Sequence, residues 1–75
     1  MSKNITCNII RRIAVLSPQQ SGWQLELNEV VWNDDPPKLD LRRWNSEHER
    51  KGKGVTLTRE EARSLLAALE KELEE

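Results

Sequence analysis

A chain of 75 residues, one third of them charged and with a net charge of −1, makes one small domain rather than a strongly basic nucleic-acid coat. So short a chain buries only about 60% of the surface its unfolded form exposes, so a monomeric core is marginal and a staple or a partner is needed. Cys7 is the only cysteine and His48 the only histidine, which excludes an internal disulfide, argues against a metal site and leaves self-association as the route to stability.

From Asn8 to Ser17 the run NIIRRIAVLS is rich in β-branched residues and ends at the turn-forming SPQQSG, predicting a first strand. In WQLELNEVVWN, residues Trp23, Leu25 and Leu27 alternate with Gln24, Glu26 and Asn28. The phase then changes at Val30, Val31 and Trp32, predicting a second strand with a bulge or bend near Asn28 and Glu29. NDDPP breaks the pattern because Pro36 and Pro37 lack backbone donors and restrict the residue before each, so a hairpin loop is expected there. KLDLRRW alternates again, with Leu39 and Leu41 on one side and Lys38, Asp40, Arg42 and Trp44 on the other, as a third strand does. The polar, glycine-bearing NSEHERKGKG reads as a loop and VTL as a short fourth strand.

Thr58 to Glu61 has the T-x-x-E spacing in which a threonine hydroxyl caps the third helical amide and the glutamate reaches back, so a helix starts there. Ala62, Leu65, Leu66, Leu69 and Leu73 recur every three or four residues and form an apolar stripe. Glu72, Glu74 and Glu75 put acid at the negative end of the helix dipole, which predicts a frayed last turn. The expected fold is α+β: a single domain over residues 1–75, ordered from about 8 to 72, with four antiparallel strands and one C-terminal helix. One helix covers only part of a four-stranded sheet, so the stripe of Leu65, Leu66, Leu69 and Leu73 serves a homodimer as much as a monomer core. The sequence has no 18-residue apolar stretch and no apolar leader over Met1 to Ile10, from which a cytoplasmic protein without membrane contact is expected.

Charge is unevenly placed. Residues 1–57 sum to +2 and residues 58–75 to −3, and Lys38 to Gly54 holds six basic side chains against three acidic ones. Unpaired bases expose both faces, so a groove that binds them without reading sequence needs aromatic rings for stacking and cations for phosphates. Trp32, Trp44 and the surrounding Lys and Arg residues supply both. Each tryptophan has core burial as its alternative, because the chain contains no Phe or Tyr. Trp23 shares parity with Leu25 and Leu27, which suggests the apolar face, and Arg43 shares parity with Leu41 and has pairing across the sheet or dimer as its alternative, so for both the sequence leaves ligand and core open. Asp40, between Lys38 and Arg42, reads as an ion-pair partner that orients them. The cations have ordinary solvation or surface pairing as their alternative. His48, flanked by Glu47 and Glu49, reads as a solvated loop residue. Cys7 has no motif partner, and Gly52 and Gly54 fall short of a phosphate loop, so no enzyme, cofactor or small-molecule substrate is expected.

Read together, W-N-D-D-P-P-K-L-D-L-R-R-W from Trp32 to Trp44 and G-K-G-V-T-L-T from Gly52 to Thr58 resemble the transcriptional positive cofactor four family, especially its small bacterial YdbC-type members. The resemblance begins near Ile13, where IAVLS precedes a Gly-Trp pair, and runs to about Leu69. It implies a twisted antiparallel sheet with a C-terminal helix, dimerised through helices and sheet ends. It further implies sequence-independent binding of single-stranded DNA, in transcription, replication or repair; residue spacing by itself does not distinguish DNA from RNA as the ligand. Carried over by position, the binding residues implied are Trp32, Lys38, Arg42, Trp44 and Lys53, with Lys51 beside them. Asp34 and Asp35 in the hairpin depart from the family pattern. The alternative function is a protein-interaction module in which the same dimer scaffold recruits a transcription or repair partner.

Overall fold

A computed structural model of the chain describes residues 6–17, 22–48 and 51–74. Strands β1 (Cys7–Val15), β2 (Trp23–Trp32), β3 (Lys38–Asn45) and β4 (Lys51–Leu57) precede helix α1 (Arg59–Leu73). They form one antiparallel sheet in the order β1-β2-β3-β4, the α+β arrangement expected. Most of the SPQQSG turn lies outside the described residues, as does Arg50 in the β3–β4 loop. The NDDPP hairpin turns through Asn33, whose φ is 52°, with the Asp35 amide donating to the Trp32 carbonyl at 2.9 Å.

Register turns the alternating sequence into two chemically distinct faces. On one, Ala14, Leu27, Leu41 and Val55 lie in a cross-strand row, beside a second row ending in Leu39 and Leu57. On the other, Arg12, Asn28, Asp40 and Thr56 form one row and Glu26, Arg42 and Gly54 the next. The irregularities expected near Asn28 and Glu29 lie instead in β1. There the register slips between Ile9 and Arg11 and again between Arg12 and Ala14, while β2 pairs without a break against β3. The apparent phase change in β2 arises because Val30 belongs to the polar face, where it is fully buried. The fourth strand is longer than VTL: it starts at Lys51, and tertiary pairing with β3 overrides the poor strand preference of its glycines. Gly54 has a specific reason. A Cβ there would overlap the Arg42 Cβ and crowd the Leu41 carbonyl, so only glycine lets β4 approach β3 at this row.

The capping box forms as its spacing predicts. The Glu61 amide donates to Thr58 Oγ1 at 3.0 Å, and the Thr58 amide donates to Glu61 Oε1 at 2.8 Å. The helix continues through the expected frayed turn to Leu73, with Lys71 partly offsetting the acid there. Arg11 and Arg59 both reach Glu29, at 3.1 and 3.4 Å, linking β1, β2 and α1 by exposed ion pairs worth little individually.

Burial is the reverse of what apolar patterning suggests. Among the described residues the buried ones, Glu26, Asn28, Val30, Asp40 and Trp44, all lie on the polar face, and no residue of α1 is buried. The apolar face remains an open groove of about 300 Å³ between sheet and helix, lined by residues that include Leu27, Leu41, Leu57, Leu65, Leu66 and Leu69. Leu66 is 57% and Leu69 46% exposed.

Candidate nucleic-acid interface

Two side-chain networks occupy the polar face. The first is built around Asp40, which is fully buried in β3. Its carboxylate accepts from Arg42 Nε at 2.8 Å and Nη2 at 3.0 Å, and from Thr56 Oγ1 at 2.8 Å. Thr56 Oγ1 in turn accepts from Trp32 Nε1 at 3.0 Å, so one carboxylate fixes a guanidinium directly and an indole through a hydroxyl. Arg42 Nη1 donates to the Gly52 carbonyl at 3.2 Å. The Arg42 guanidinium carbon lies 5.2 Å and Lys51 Nζ 5.6 Å from the Trp32 ring centroid, both within cation–π range. Trp32 is half-buried and Lys51 exposed.

The second network is built around Glu26, which is 2% exposed. It accepts from Gln24 Nε2 at 2.6 Å, Asn28 Nδ2 at 3.0 Å and His48 Nε2 at 2.9 Å. Burial pushes the Glu26 carboxyl up, but the hydrogen bonds from Gln24, Asn28 and His48 outweigh it and the net displacement is downward. His48 is therefore not the solvated loop residue expected. Arg12 Nη2 lies 3.5 Å from His48 Nδ1, the imidazole stacks obliquely on Trp44 at 5.7 Å, and the backbone takes a φ of 58° to reach both. Because a carboxylate only accepts, Nε2 is the donating nitrogen of the His48 ring toward Glu26.

A lowered carboxyl means that the folded state binds this proton less readily than the unfolded chain does. The stability it contributes is complete above its ordinary value of 4.5 and is lost as the pH falls through the lower folded value. Glu26→Gln is expected to be less stable at neutral pH and to lose less on acidification. Denaturant midpoints measured between pH 7 and pH 3 check this, and parallel profiles for the two proteins would contradict it.

The structure brings Trp32, Arg42 and Lys51 together. It corrects the expectation for Trp44, which shares the face with Arg42 but is only 3% exposed beneath the His48 ring, so it offers no free ring face to a base. Lys38 sits at the start of β3, where its charge helps lower the Glu61 carboxyl after the larger effect of the Thr58 cap. Lys53 is exposed in β4 beside the register shift. Arg43 is exposed and Trp23 half-buried. Sequence reasoning missed Arg12, Gln24, Glu26 and Thr56, whose only signal was membership of the face carrying Asp40 and Arg42. Among the described residues no cluster of metal-ligating side chains occurs, and no helix is long and apolar enough to cross a membrane.

No protein-family model matches the chain. An uncharacterized protein of Treponema pallidum (strain Nichols) is 45% identical over 53 residues, which cover 71% of this chain and 62% of that protein, so the chain spans under two thirds of its relative's length.

Proposed function

We propose that the chain acts as a cytoplasmic, non-enzymatic homodimer that binds single-stranded DNA or RNA through the polar sheet face, in transcription, replication or repair. The observation that carries this reading is the layering of charge on that face. The carboxylates of Glu26 and Asp40 are sunk to 2% and 0% exposure, whereas Arg12 and Lys51 stand exposed and Trp32 half-exposed above them. A strand laid there meets cations and an aromatic ring rather than the acids, despite the net charge of −1. The resemblance of Trp32 to Thr58 to the positive cofactor four family supports the same ligand class. The homodimer is supported by the open leucine groove between sheet and helix.

Titration with oligo-dT at low salt is expected to quench tryptophan fluorescence. Replacing Trp32 and Lys51 together by Ala is expected to weaken binding by about tenfold to a hundredfold, since one stacked base contributes about 1–3 kcal/mol. A wild-type protein whose emission and mobility are indifferent to oligo-dT would sink the proposal and favour the protein-interaction module.

A further inference from the structure

We infer that the flank of α1 beside the leucine stripe is a charge-coded contact that sets a second copy antiparallel, with Glu70 and Glu74 of that copy against Arg59 and Arg63 of the first; this rests on the homodimer proposed above. Arg59, Arg63, Leu66, Glu70 and Glu74 follow one another at spacings of three or four residues, so they stand in a single row along the helix and its C-cap. The row is cationic in its first half and acidic in its second.

In a lone copy that order works against the helix. Arg59 and Arg63 are like charges four residues apart, as are Glu70 and Glu74, and such pairs destabilise an isolated helix. The cations also stand toward the positive end of the helix dipole and the acids toward its negative end. The favourable charges, Glu60 and Glu61 in the first turn and Lys71 in the last, fall outside this row. Arg59 reaches Glu29 only at 3.4 Å and keeps 61% of its side chain exposed. Arg63, Glu70 and Glu74 form no ion pair with any described residue.

An antiparallel second copy removes both conflicts. Arg59 and Glu74 are equidistant from the helix midpoint between Leu66 and Ala67, and so are Arg63 and Glu70. Across a twofold axis at that midpoint Arg59 meets Glu74 and Arg63 meets Glu70, and the symmetry repeats both pairs. A parallel copy would set Arg against Arg and Glu against Glu. The receiving surface lies between β3 and α1, where a cleft of about 180 Å³ is lined by Leu39, Ala62 and Leu66 together with the two arginines. Leu73, 72% exposed and next to Glu74, is the apolar side chain that arrives there with the acids. The cleft shares Leu39, Ala62 and Leu66 with the leucine groove, so one contact covers both.

Sedimentation equilibrium of the full chain at low salt tests this with charge reversals. Arg63→Glu and Glu70→Arg each move charge in the direction that the dipole of a lone helix favours, so neither is expected to weaken the fold of one copy. In the antiparallel dimer each sets like charges opposite one another at two symmetric places, and association is expected to weaken about threefold to thirtyfold. Both reversals in one chain are expected to restore wild-type association, and an equimolar mixture of the two single variants to associate as tightly as wild type. Single variants that dimerise as tightly as wild type would overturn the antiparallel pairing while leaving the homodimer intact, and so would a double variant no tighter than the singles. A monomeric wild type would remove the homodimer and this contact with it.

Discussion

Leu66→Glu is expected to turn a dimer into a monomer that is markedly less stable, the largest effect of any helix substitution. In a lone copy Leu66 is 57% exposed, and a change at so open a position ordinarily shifts stability by no more than about 0.5 kcal/mol. If a second copy covers the groove, the same substitution buries a carboxylate against leucines. The cost is then several kcal/mol, enough to abolish association at micromolar concentration. Sedimentation velocity on wild type and variant reads the outcome directly. A monomeric wild type, or a variant that remains dimeric, would refute the role given to the helix stripe. Leu69→Glu, 46% exposed in the same groove, should behave alike.

Asp40→Ala should have the largest effect on the polar face. Arg42 retains only 11% side-chain exposure, so removing its bidentate partner strands a guanidinium in a poorly solvated place. Truncating one member of such a pair costs about 3–5 kcal/mol. Thr56 loses its acceptor at the same time, and through it the anchor of the Trp32 indole, so tryptophan emission should change in the folded protein. Replacing both members, as in Asp40→Leu with Arg42→Met, should recover much of the loss because no charge is left unpaired. Urea denaturation at one fixed protein concentration compares the three, since a dimer's stability depends on concentration. A single Asp40→Ala variant as stable as wild type would show that Asp40 does not hold this network together.

Much of this fold was legible because its signals are local. The alternation in KLDLRRW assigned Leu39 and Leu41 to one face and Asp40 and Arg42 to the other, and T-x-x-E marked the helix start at Thr58. The misplaced features depend on pairing between distant segments. NIIRRIAV has no alternation from which its two register shifts could be read, and they appear only against the unbroken β2. Lys51 to Gly54 looks like loop until β3 offers it a ladder. The same limit governs the site. Strand parity placed Trp44 on the correct face but cannot say what lies above it, and the covering His48 ring arrives from the β3–β4 turn. The partnership of His48 with Glu26 spans 22 residues and leaves no trace in spacing. Trp32 and Arg42 were legible as candidates, whereas their linkage through Thr56 and Asp40 was not.

The dependence of oligo-dT affinity on salt tests the central claim most directly. Arg12, Lys51 and Lys53 are the exposed cations of β1 and β4 on or beside the polar face, and Arg42 is already committed to Asp40. Three phosphates engaged by those cations give a slope of about −2 in log affinity against log salt, at about 0.7 for each phosphate neutralised. A slope near that value, shallower by about 0.7 in Lys51→Ala, is the predicted result. Binding that is absent at low salt, or insensitive to salt, would contradict the account.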